Sequence, residues 1–324
     1  MLVGGCSSNP ADAPPPTIAP ARAADSPPAT ADLPGTVIPL PGARAAVYDA
    51  STRSLVTLSL GAPDRATVTA LAPGRAATPI GLPGGGTAMT ADGPGRVAVS
   101  TRGGYFVVDV AARRASRVAV TDHDDVDFTA IARRSDGRLV LGSADGTVYT
   151  MLSDTAVGAS LKILARVDGL VTQGDTAVVL DRGQTSVTSL DTDGTSAEHA
   201  LRAGEGATTM AADPNGRVLV ADTRGGELLV YGVDPLMLRQ RYPVPDAPYG
   251  LTASGGKKSG LAWVAQTATN TVVGYDLATG IPVEKVRYRT VQQPNTLAFD
   301  DATGTLYVVS GSGGGVQMIP GAGQ

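Results

Sequence analysis

From residue 36 onward the sequence repeats itself, and a repeat constrains the fold more than any single motif in the chain. Thr208-Thr-Met-Ala-Ala-Asp213-Pro-Asn-Gly216-Arg217-Val-Leu-Val-Ala221 matches Thr87-Ala-Met-Thr-Ala-Asp92-Gly-Pro-Gly95-Arg96-Val-Ala-Val-Ser100. Each reads as a short apolar strand, a glycine turn and a second strand. The same cadence recurs at 128–142 around Ser135-Asp136-Gly137-Arg138, at 295–310 around Thr303-Gly304 and at 45–60 around Ser51-Thr52. It is looser at 169–181 and 249–266. Each unit continues through a second turn, such as Arg102-Gly103-Gly104, Asp145-Gly146, Arg182-Gly183 or Arg224-Gly225-Gly226, into a third strand. Tyr149, Tyr231 and Tyr275 fall at matching third-strand positions in three units.

Period-two alternation rich in β-branched residues, broken by Gly, Asp and Asn turns, predicts four-stranded antiparallel sheets, and no stretch reads as a long amphipathic helix. The units begin near residues 43, 87, 128, 167, 207, 248 and 293, so 36–324 holds seven units of about 41 residues. That is the length of a propeller blade, and the spacing predicts an all-β, seven-bladed β-propeller. The last unit runs out after Val316-Gln-Met-Ile319, and Thr36-Val-Ile-Pro39-Leu40 can supply its fourth strand and close the ring. Proline is acceptable there because a blade's outermost strand is an edge; Pro79, Pro243 and Pro282 lie in or beside other predicted fourth strands.

The stretch Trp263-Val-Ala-Gln-Thr-Ala-Thr-Asn270-Thr-Val-Val-Gly-Tyr275-Asp276-Leu-Ala-Thr-Gly280 resembles the YVTN repeat. Pro294-Asn-Thr-Leu-Ala-Phe-Asp300 and Met210-Ala-Ala-Asp213-Pro-Asn-Gly216 look like opening strands of YVTN or NHL repeats. The resemblance is specific in the fifth to seventh units. Together with the N-terminal stretch it is similar to actinobacterial, mycobacterial LppL-like propeller lipoproteins of the cell envelope, a likeness that implies a fold and an address but no reaction.

The N-terminal stretch is Leu2-Val3-Gly4-Gly5-Cys6, which resembles a bacterial lipobox whose cysteine is diacylated on sulfur. Gly4 and Gly5 meet the need for small residues next to a lipidated thiol, and the signal peptide that should precede them is expected upstream. Cys6 is the one cysteine of the chain, so no internal disulfide forms. Residues 7–34, rich in Pro, Ala, Ser and Thr and without hydrophobic periodicity, read as a disordered tether, so that 1–35 and 36–324 are the two expected parts of the chain. Fully extended at roughly 3 Å per residue, such a tether spans on the order of 80 Å. Two acyl chains suffice to anchor it to the cell membrane, and no run of about 18 apolar residues encodes a transmembrane helix.

A net charge of -4 provides no basic field for nucleic acid, and three Phe and one Trp offer no stacking platform. The low share of lysine, four of 26 basic residues, is typical of high-GC actinobacterial genomes. A Ser-His-Asp centre needs a histidine, and there are two. His199 falls on a predicted outer strand, where it is solvated. His123 lies in a loop with Asp122, Asp124, Asp125 and Asp127, which could hold calcium or magnesium through oxygen ligands, although the spacing is not that of an EF-hand and clustered acids are commonly just solvated charge. Arg102, Arg182 and Arg224 in second-to-third strand turns, with Arg287 and Arg289, could ring the channel mouth and receive a carboxylate or phosphate. Gly255-Gly-Lys-Lys-Ser-Gly260 departs from the P-loop pattern and reads as a hairpin turn, and Gly311-Ser-Gly-Gly-Gly315 lacks the strand-to-helix context of a dinucleotide fingerprint. The expectation is a monomeric, lipid-anchored binding or scaffolding module without a cofactor, for an envelope protein or small polar ligand. The alternative is a lactonase-like propeller hydrolase with a divalent metal at 122–127.

Overall fold

The computed structural model describes residues 16–61, 64–255 and 260–323. It contains seven four-stranded antiparallel sheets, and six of them use four strands in consecutive order. The first strands of the blades are Ala45–Asp49, Met89–Ala91, Phe128–Arg133, Gly169–Gln173, Ala207–Asp213, Pro248–Ala253 and Pro294–Asp300. In the seventh blade Thr36–Ile38 pairs with Val316–Ile319, with Thr36 opposite Met318 and Ile38 opposite Val316. The ring is therefore closed by the N-terminal strand, as the repeat count requires. Pro39 lies just outside that strand, while Pro79 lies in the outer strand Thr78–Gly81 and Pro243 ends Leu236–Pro243.

Alternation explains why blades stack. In the second strand of the fifth blade, Arg217–Asp222, Val218 and Val220 pack in the cluster shared with the fourth blade, while Leu219 and Ala221 pack in the cluster shared with the sixth. Both faces of a middle strand are thus buried, and it reads as an unbroken apolar run rather than an alternating one. Seven such clusters fill the blade interfaces. The outer strands have no neighbour on one side and are polar, as in Ala197–Arg202, where His199 is exposed. Trp263 is fully buried in the core and stacks on Tyr288 and Phe299.

Buried polar groups join the blades where the apolar clusters end. Asp222 is fully buried, and its carboxylate accepts the backbone N–H groups of Glu205 and Gly206 at 2.8 Å and of Gly225 at 3.0 Å. Asp181 does the same in the preceding blade for Ala165, Arg166 and Gln184. One carboxylate so satisfies the loop entering its blade and its own second-to-third strand turn, donors that would otherwise be unpaired. The buried Gln317 amide donates to Pro34 O and Arg289 O at 2.8 and 3.0 Å, and its oxygen accepts the Val291 N–H, which ties the closing strand to the sixth blade.

The residues before the closing strand do not behave as the sequence composition suggests. Residues 17–27 run extended over the face formed by the second-to-third strand turns and the loops between blades, from the fourth blade to the seventh. Ala21 is buried there, and Leu33 packs on the cluster between the sixth and seventh blades. A chain without hydrophobic periodicity can still be held when its backbone supplies the contacts. Cys6 and the rest of residues 1–15 lie outside the described residues.

Candidate binding site at the channel mouth

The first strands line a central channel, and its upper part opens into a cavity of about 590 Å³ bordered by residues of the first, fourth, fifth, sixth and seventh blades. Its charged wall is made by Arg44, Asp168 and Arg182, and Thr208, Thr209, Tyr249 and Asn295 complete the polar lining. Arg44 and Asp168 stand immediately before a first strand, where the chain crosses from an outer strand to the channel. This placement makes them face the mouth, and the register of the repeat is the signal that could have found them.

Asp168 is held tightly. Its carboxylate accepts the backbone N–H of Arg182 at 2.9 Å and Arg166 Nε at 3.1 Å. Burial raises its carboxyl above the ordinary carboxylate range, against that N–H and the positive charges of Arg182 and Arg166, which favour the ionised form. Arg44 is exposed and forms no ion pair among the described residues, so its guanidinium is available to an incoming acceptor. Thr209 Oγ1 donates to Tyr249 O and Thr296 Oγ1 to Arg44 O, bonds that link neighbouring blades around the channel.

The five arginines singled out from sequence are not gathered into one ring. Arg182 borders the cavity, and the guanidinium groups of Arg182 and Arg224 donate to Ala21 O and Ala19 O of the N-terminal segment. Arg102 instead bonds Asp125 at 2.9 Å and approaches Asp127 at 3.5 Å. Two separate candidates, a ligand arginine and an acidic loop, are thus partners of one another. Arg287 lies on the outer strand Val283–Arg289, spent on Glu284 and the Gln266 side chain, and exposed Arg289 ends that strand.

The acidic loop is likewise dispersed. His123 places Nδ1 2.6 Å from Thr121 O and its ring edge-on to Tyr149, with centroids 5.0 Å apart. Among the described residues no three His, Cys, Asp or Glu groups converge as a metal site. Neither histidine borders the cavity. Of the two glycine-rich stretches, 256–259 lies outside the described residues, and Gly311 borders the cavity in a turn closed on Ser310 Oγ by the N–H groups of Ser312 and Gly314.

No protein-family model and no curated protein sequence matches the chain. Solved structures do. A streptogramin B lyase structure superposes with a TM-score of 0.71 at 10% identity, covering 89% of this chain and 96% of that one. The WD40 propeller domain of Doa1 gives 0.68 at 13% identity over 90% of this chain and 96% of that domain. A chain of a mitotic checkpoint complex gives 0.69 at 12% identity over 99% of both. The shared property is the propeller fold. Proteins as different as these share it, so the fold carries no reaction with it.

Proposed function

We propose that the protein is a binding module held outside the cytoplasmic membrane by lipid on Cys6, and that its channel mouth engages an envelope protein or a small polar ligand. The observation that carries this reading is the mixed-charge cavity, where Arg44, without an ion pair among the described residues, faces the same space as Asp168 and Arg182. A concave site with a few convergent polar groups on a rigid scaffold is suited to binding. The lactonase-like reading draws less support, because Asp125 and Asp127 pair with Arg102, no three metal-ligating groups converge among the described residues, and no histidine borders the cavity.

Crosslinking in intact cells tests the site. Arg44→Glu reverses a charge of the cavity wall that has no ion-pair partner among the described residues, and capture of the wild-type partner or ligand should fall by about tenfold or more with little change in melting temperature. Undiminished capture would move the binding site off the channel.

The address has its own test. With a complete signal peptide the protein should partition into detergent and carry the mass of a diacylglycerol-type modification. Cys6→Ala should release it to the soluble fraction, since a single site supplies both acyl chains. Equal membrane retention of the variant would place the anchor elsewhere.

A further inference from the structure

The N-terminal segment is bound almost entirely through its backbone. Ile18 N–H donates to Gly183 O at 2.8 Å, and Arg182 and Arg224 donate to the carbonyls of Ala21 and Ala19. Gln293 reads the chain with both ends of its amide: Nε2 donates to Ala24 O at 2.9 Å and Oε1 accepts the Ser26 N–H at 3.2 Å. Thr267 Oγ1 accepts the Ala24 N–H, Gln292 donates to Ser26 O, and Asn270 donates to Pro27 O at 2.6 Å. Among the described residues, the Ser26 hydroxyl is the one side chain of the segment that adds a bond, to Thr267 O.

Two further observations mark this surface as a built site. Gln293 and Asn270 sit at φ of 57° and 50°, in the left-handed region that a residue with a side chain seldom occupies, and such conformations cluster at ligand clamps. Gly206 leaves the room that Ala21 fills: a Cβ on that glycine would stand 2.9 Å from the Ala21 methyl and 2.7 Å from Arg224 Cβ. The groove therefore accepts a small residue there and excludes a large one.

We propose that the mouth-side turns of the fourth to seventh blades form a docking groove for an extended, small-residue, proline-containing segment of a partner polypeptide, which residues 17–27 of this chain occupy in cis. The proposal deepens the binding reading of the same face and rests on it. Side-chain amides and guanidiniums that pair with main-chain groups recognise an extended backbone, and a proline-rich segment loses little conformational entropy on docking. Tethering gives the cis segment an effective concentration of about millimolar, so a partner must compete with it. Occupancy of the groove by the chain's own segment sets the threshold at which a partner is taken.

The test uses the full chain with Ala21→Trp and Ser26→Pro, which remove the fit at Gly206 and the N–H read by Gln293. A dye-labelled peptide of residues 16–29 is titrated by fluorescence anisotropy. Binding should be about tenfold or more tighter to this variant than to the wild type, since tethered competition is relieved. A peptide bearing the same two substitutions should not bind, and adding Gln293→Ala to the variant should weaken binding by about tenfold at unchanged melting temperature. No binding by a variant that keeps the wild-type circular dichroism, or equal binding by variant and wild type, would overturn the proposal. If the double substitution unfolds the chain, millimolar peptide added to the wild type should accelerate amide exchange at Ser26, and unchanged exchange overturns it. Because Arg44→Glu leaves every contact to the segment intact, failure of the groove and failure of the cavity reading are separable.

Discussion

Deletion of residues 1–41 is expected to lower the melting temperature by roughly 7 °C, whereas deletion of 1–28 should change it by only about 2 °C or less. The longer truncation removes Thr36–Ile38 and with it the ladder to Val316–Met318, the Pro34 carbonyl that Gln317 bonds, and buried Leu40. Burial of one leucine contributes about 2 kcal/mol, each ladder bond about 1 kcal/mol, and a sheet edge opens beside the first blade. The total, on the order of 4 kcal/mol, is a large part of the stability of any domain. The shorter truncation removes bonds that lie mostly at the solvent boundary and the single buried methyl of Ala21. Thermal unfolding of the two truncated chains makes the comparison, and coincident transitions would contradict closure of the ring by the N-terminal strand.

Together with Asp181→Ala, Asp222→Ala should be among the most damaging single substitutions of polar residues, costing about 3 kcal/mol or more in urea unfolding. Three backbone N–H groups converge on this fully buried carboxylate, and alanine leaves all three without an acceptor in a space that holds no other polar side chain atom of the residue. Asp222→Asn keeps one acceptor oxygen and turns an amide N–H2 towards donors, so it should fall between the two. A midpoint for Asp222→Ala within about 0.5 kcal/mol of wild type would mean that the loop at 205–206 is held by other contacts.

The blades were legible because burial on both faces leaves a mark in the sequence. Units expected to begin at 43, 87, 128, 167, 207, 248 and 293 have first strands starting at 45, 89, 128, 169, 207, 248 and 294. Each glycine turn followed by an apolar run is local, and the repeat corrects errors in any one unit. The seventh blade could be completed from the far end because its missing strand and the unpaired Thr36–Ile38 are complementary in number.

The site was less legible, for a different physical reason in each case. Arg102 engages carboxylates more than twenty residues away, a pairing set by how two adjacent blades meet rather than by spacing. Arg182 and Arg224 stand in the turns the repeat assigns them, yet their carbonyl partners at Ala21 and Ala19 have no side-chain signature. Residues 16–34 look structureless by composition because periodicity reports apolar burial, and this segment is held chiefly by main-chain bonds. Asp168 and Arg44 needed only the position before the first strand to be noticed.

Amide hydrogen exchange on the wild-type protein, with and without the partner captured by crosslinking, tests the central claim most directly. Binding at the channel mouth predicts added protection in the loops and turns at 165–169, 182–185, 223–226 and 290–296, with the outer strands unchanged. Protection confined to outer strands such as Ala197–Arg202, or to the turns on the opposite face around Asn215 and Thr303, would contradict it.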